Sequence, residues 1–297
     1  MKNLILKVST LIVALMVVLP SFSQVTLQYS FKKGEIFKQN MVTKSKITMN
    51  QEMNVDMTTD FQTTFEVIDV TEEGYTLEVK YKHINIKTTT SGMDERSFDS
   101  NNSENVATLQ NLDPMLKAAI DKPIEVVMTK TGKAEVKNIG SLGKAMFGVI
   151  DTNIPAARRE RLAQWNKQFS EGDFLPQLSF FPDKPVNVGD SWVSKVSKSV
   201  PFAMDFDAKV TLRSADEHVA YLEVEGEGKF SNLKQEMEMN NIKYSISYSV
   251  SQRGQVKVNR STGWVISSEI EQHIDGEIEA DGKTPISVVE TVTMSGN

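Results

Sequence analysis

The sequence predicts a mainly β (α+β) protein: a long antiparallel curved sheet or half-open barrel, with two related β halves and a helical insert. Three observations carry this. Apolar residues alternate with polar ones over long stretches, turn dipeptides punctuate them, and a single mid-chain segment switches to helical spacing. A period of two held this long gives a sheet one buried and one wet face. The 297 residues are 39% hydrophobic and 24% charged, a globular composition with ample material for a core.

The N-terminus sets the compartment. Lys2 and Lys7 precede an apolar run from Val8 to Leu19, Pro20 breaks it, and Ser21 and Ser23 place small residues before Gln24. This predicts a signal peptide over residues 1–23, cleaved after Ser23, and export to the periplasm or the extracellular space. The run is short of spanning length, and no cysteine exists to take a lipid, so a soluble mature chain is expected. The net charge of −6 becomes more negative once two lysines leave, which disfavours nucleic acid and anionic membranes as partners. The absence of cysteine excludes disulfides, thiol catalysis and thiolate metal sites.

The elements then follow in order. Val25, Leu27, Tyr29 and Phe31 alternate up to a turn at Lys33-Gly34. From Met49 the odd positions run through Met53, Val55, Met57, Phe61, Phe65 and Val67, with a hairpin expected near Asn50 or Asn54. After Glu72-Glu73-Gly74, Tyr75, Leu77, Val79 and Tyr81 form a strand, and the polar stretch 88–105 reads as a surface loop. Asp113-Pro114 opens a short helix through about Ile120, and 124–127 and 134–139 make a hairpin around Thr131-Gly132. These complete a first β half, residues 24–139.

Residues 140–184 form the helical and aromatic insert. Leu142, Ala145, Met146, Val149 and Ile150 keep helical spacing, as do Leu162, Trp165 and Phe169. The second β half, 185–297, opens on Pro185 to Trp192, where Gly189 permits a turn and Trp192 is expected to anchor a strand in the core. Alternation returns at 204–212, 221–230, 242–258, 264–274 and 286–292. Asp275-Gly276 and Asp281-Gly282 read as turns. One domain from residue 24 is expected.

The halves repeat weakly. Gly34-Glu35-Ile36-Phe37 matches Gly189-Asp190-Ser191-Trp192, the segment 73–79 matches 218–224, and Thr131-Gly132 matches Thr262-Gly263, in the same order.

Chemical motifs are sparse. His83, His218 and His273 stand apart without metal-ligand spacing and read as surface strand residues. Lys130-Thr131-Gly132 and Ser141-Leu142-Gly143-Lys144 echo motifs of penicillin-binding enzymes, but their order is reversed and they lie side by side. No catalytic site, metal or cofactor is expected. The candidate ligand-binding residues are Trp165, Phe169, Phe174, Phe180 and Phe181, the aromatic cluster outside the strands, read as bordering an apolar cavity. Met49, Met53, Met57, Met237 and Met239 suit adaptable apolar surfaces.

With Phe180 to Trp192 in view, the chain resembles a family of uncharacterised secreted bacterial β-rich proteins. That family shares Phe-Phe-Pro, then Pro-Val-x-Val-Gly-Asp-Ser-Trp, and has no assigned activity. The plan of long curved strands with a helical insert is also remotely similar to open-barrel periplasmic lipoprotein and lipid carriers. The expected function is non-enzymatic binding of an apolar or amphiphilic ligand in the cell envelope. A structural or protein-interaction module comes next, with an envelope protein as partner, and a hydrolase third.

Overall fold

The computed structural model describes residues 24–102, 112–138, 142–145, 181–198, 204–233, 245–279 and 282–297. Their strands are β1 (Ile36–Met49), β2 (Met53–Val70), β3 (Gly74–Thr90), β4 (Arg96–Asp99), β5 (Ile124–Thr129) and β6 (Ala134–Asn138) in the first half. The second half holds β7 (Ser191–Lys198), β8 (Met204–Ala215), β9 (Val219–Leu233), β10 (Ser245–Asn259), β11 (Val265–Glu279) and β12 (Lys283–Gly296). All belong to one antiparallel sheet, ordered β6-β5-β3-β2-β1-β12-β11-β10-β9-β8-β7, with β4 paired to β3. The predicted long curved sheet is therefore the fold. Its halves meet where β1 pairs with β12 from Gln39–Gly296 to Met49–Ile286.

The repeat holds at the level of hydrogen bonds. Gly34 N–H donates to Val67 O and Val67 N–H to Glu35 O; Gly189 N–H donates to Leu212 O and Leu212 N–H to Asp190 O. A bulge follows each, between Val67 and Asp69 and between Leu212 and Ser214. The next turns match as well, with Thr71 N–H donating to Gly74 O and Asp216 N–H to Val219 O. Gly34 and Gly189 both have positive φ, 85° and 95°, where a side chain would be strained.

The N-terminal segment keeps the predicted alternation, with Val25, Leu27, Tyr29 and Phe31 all buried. It does not join a ladder: it makes one bridge, Val25 to Val186, and then spans the two Thr-Gly turns. Tyr29 N–H donates to Lys130 O at 2.8 Å and Ser30 N–H to Thr262 O at 2.9 Å, so the stretch from Val25 to Ser30 ties both halves together. Beneath it lies an aromatic core. Phe31 meets Phe37 at 4.6 Å, Phe37 stacks on Trp264 at 4.8 Å, and Phe65 meets Trp264 edge-on at 5.1 Å. Tyr75 O–H donates to Tyr29 O at 2.8 Å, and burial pushes the Tyr29 hydroxyl pKa up.

Helix α1 (Leu112–Ala119) buries Met115, Leu116 and Ala119, and residues 142–145 form a helical turn with Leu142 buried. The rest of the predicted insert up to Phe180 lies outside the described residues. Several expectations change. Residues 96–99, read as loop, form β4, because Phe98 is 1% exposed and pays a strand into the sheet through its burial. Asp275-Gly276 is no turn: it lies inside β11 opposite Tyr248 and Ser249, where a Cβ on Gly276 would come within 2.6 Å of the Tyr248 Cβ. Trp192 is only half-buried against the core, and Trp264 is the deeply buried tryptophan.

Candidate functional site

Strand register places the odd residues of β1 and β2 and the even residues of β10, β11 and β12 on one face. Most of that face is buried and apolar, as alternation demands. Mid-way along the strands it is not. Met41, Thr43, Met57, Thr59, Phe61, Ile270, Glu290 and Val292 are only half-buried, and the pairings make them neighbours. Solvent therefore reaches an apolar patch set within a buried surface. The half-buried Ile47, Met49 and Val55 extend it toward the hairpin at Asn50, whose positive φ of 52° fixes the tip of β1–β2.

A polar row crosses this apolar face. Ser45, Glu290, Gln272 and Gln252 lie opposite one another on β1, β12, β11 and β10. Ser45 O–H donates to a Glu290 carboxylate oxygen at 3.1 Å, and the Gln272 amide donates to Gln252 Oε1 at 3.4 Å. Ser45, Gln272 and Gln252 are at most 9% exposed. At the other border of the patch, Gln39 Nε2 and Ser268 Oγ are buried without a protein partner. Placing polar groups here costs free energy unless something uses them.

These residues escaped the sequence reading, though the signal was present. Glu290 interrupts Ile286, Val288, Val292 and Met294, and Gln252 and Gln272 fall in the apolar phase of their own strands. A polar residue in the apolar phase was the clue. Of the five aromatic candidates, Trp165, Phe169, Phe174 and Phe180 lie outside the described residues. Phe181 is 8% exposed and packs its ring 4.9 Å from that of Tyr29, within the aromatic core. Met49, Met53 and Met57 do lie on the patch-bearing face, while Met237 and Met239 fall outside the described residues.

The opposite, polar face carries a groove of about 660 Å³ lined by Asp207, Lys209, Glu225, Glu227, Arg253, Glu271 and His273, among others. Its charges alternate across the strands. Arg253 reaches Glu271 at 3.2 Å and Lys195 reaches Asp207 at 3.0 Å. The His273 ring and then Arg253 hold the Glu271 carboxyl below its usual range, the reverse of what a general acid needs. Two histidines thus have carboxylate partners, His273 a near neighbour in sequence and His83 a remote one. Besides His273, the His83 ring, 12% exposed, lies 2.8 Å from Asp99 because β4 folds back onto β3. Among the described residues no three His, Asp or Glu side chains gather to hold a metal.

The model of a family of unknown function (DUF6263) matches residues 72–265, more than half of the chain. The chain belongs to that family. The match spans β3 to the start of β11, so the DUF6263 region takes in residues 140–184 and both Thr-Gly turns. No protein with a curated description matches. Among solved structures, lipovitellin, in a structure concerned with lipid–protein interactions, is similar at 8% identity and a TM-score of 0.48. That likeness covers 89% of this chain and 25% of the lipovitellin chain, so this chain spans about a quarter of its length. An outer membrane channel from Pseudomonas putida F1 is similar at 7% identity and a TM-score of 0.24, over 91% of this chain and 97% of that one. Both TM-scores are below 0.5, and neither likeness informs what this DUF6263 protein binds.

Proposed function

We propose that this protein is an exported, non-enzymatic binder of an apolar or amphiphilic ligand, held on the half-buried patch of the sheet's apolar face. One observation carries the reading. Apolar side chains of β1, β2, β11 and β12 remain open to solvent in the middle of a face that is otherwise core, with a polar row at their border. Exposed apolar surface of this kind is unfavourable by about 25 cal/mol per Å² until covered, which is the driving force for taking up a ligand. Methionines at Met41, Met49 and Met57 give the patch side chains that adapt to different chain shapes. Export rests on the signal-peptide pattern of residues 1–23.

The experiment is a titration with a fluorescent alkyl-chain probe. The wild-type protein should bind it, and Phe61→Gln and Ile270→Gln should each weaken binding by about tenfold, the equivalent of losing roughly 1.4 kcal/mol of apolar contact. A wild-type protein that leaves the probe unbound would refute the reading. A protein-interaction module is the second reading, favoured by edge strand β7, where Val193 is 65% exposed, and by Val188, 44% exposed in the turn that precedes it.

A further inference from the structure

We infer that the ligand of this patch carries a neutral hydrogen-bond acceptor, a carbonyl of the ketone, ester or amide class, seated by three buried donors around Gly296. The inference rests on the binding reading proposed above and names the ligand's polar group. The donors are Gln39 Nε2, Trp264 Nε1 and the Ser268 hydroxyl, and none of these atoms has a hydrogen-bond partner. Their residues are at most 6% exposed. Register brings them to one place. Gln39 of β1 lies opposite Gly296 of β12, and Ser268 of β11 lies opposite Met294, the adjacent inward position of β12. Trp264 reaches the same glycine. Its ring stacks on Phe37 at 4.8 Å, and its Nε1 is 2.6 Å from where a Cβ on Gly296 would stand. Glycine at 296 is thus what leaves room for the indole N–H beside Gln39.

A buried donor without an acceptor is unfavourable, and three in one place call for an occupant that accepts. The amide Nε2 and the indole Nε1 only donate, and one carbonyl oxygen has two lone pairs to receive them. All three donors are neutral. Among the described residues, the inward positions of β1, β2, β11 and β12 hold no lysine or arginine. An ionised carboxylate seated here would lose its water with no cation from these strands to offset the charge, which selects a neutral acceptor. The alkyl chain then starts beside Met41, the next inward residue of β1 after Gln39, and runs along Phe61, Val292 and Ile270. Met41 and Met294, paired between the donors and the patch, are side chains that shift readily around an alkyl chain.

The test compares three compounds of matched length, 2-undecanone, n-undecane and decanoate, as competitors of a fluorescent alkyl probe on the full mature chain at neutral pH. The ketone should compete at least about tenfold better than the alkane, from which it differs by one carbonyl, and better than the carboxylate. Gln39→Leu and Ser268→Ala should each bring ketone and alkane to within about threefold while the fluorescent probe still binds. A purely structural role for these side chains would change stability and leave that ratio where it was. Equal competition by ketone and alkane on the wild-type protein, as expected if the donors only hold water, overturns the inference and leaves the binding reading standing. Equal or better competition by decanoate overturns the neutral acceptor, and a ratio unchanged in both variants overturns the seat. The wild-type comparison needs no variant, so a chain that fails to fold does not shield the claim. Absence of fluorescent-probe binding by the wild type overturns the underlying reading and the inference with it.

Discussion

Trp264 and Trp192 separate what a residue contributes from how its motif looks. Trp264, 3% exposed between Phe37 and Phe65, should cost about 3–5 kcal/mol when truncated to alanine. Trp192 opens the more conspicuous motif but is half-buried, so Trp192→Ala should cost clearly less. Denaturant melts of both variants check the order, and equal losses would contradict it. The His83–Asp99 pair gives a pH signature. The hydrogen bond from His83, then the Asn101 amide, holds the Asp99 carboxyl below its usual range. Its folded pKa is thus below its unfolded one, so its contribution is complete above about pH 4 and is lost as pH falls through the folded value. The stability gap between wild type and Asp99→Asn should therefore be small, since Asp99 is 41% exposed, and should close on acidification below that point. A gap that widens in acid would be inconsistent with the pairing.

At the scale of elements, alternation was an accurate guide to strands and a poor one to partners. The odd positions from Met49 to Val67 and the turn at Asn50 are where the sequence puts them, because period two and a residue tolerant of positive φ are local properties. The pairing of β1 with β12 joins the chain's two ends, and no local signal encodes it. Residues 96–99 look like loop because a four-residue strand is too short to show a period, and only the burial of Phe98 reveals it. The repeat was legible because it lies in turns. Its halves should answer alike to the same change: Gly34→Ala and Gly189→Ala each place a Cβ at positive φ in open space, so each should cost about 1–2 kcal/mol from backbone strain alone. A variant that costs nothing at one site would break the equivalence. The N-terminal segment, though outside the ladder, should behave as core. Leu27→Ala is expected to cost about 2–5 kcal/mol, measured by thermal or denaturant unfolding.

For the molecule as a whole, the arrangement is a single sheet whose halves share one apolar face, closed at one end by Phe31, Phe37, Phe65, Tyr75 and Trp264 and half-open around Glu290. The fold class was legible because composition and period are global averages over many residues. The patch was not, since it depends on register: Met41, Phe61, Ile270 and Val292 come from four strands and become neighbours only when β1 pairs with both β2 and β12 and β12 with β11. The aromatic run at 165–181 was the more visible feature in sequence, and its one described ring, Phe181, lies in the core. The most direct test of the patch is photolabelling of the wild-type protein with an alkyl chain bearing a diazirine, followed by peptide mass mapping. Labels should concentrate on Met41, Met57, Phe61, Ile270 and Val292 and be competed away by unlabelled alkyl amphiphile. Labels confined to the polar face around Asp207 and Glu225, or none that compete, would contradict ligand binding at this site.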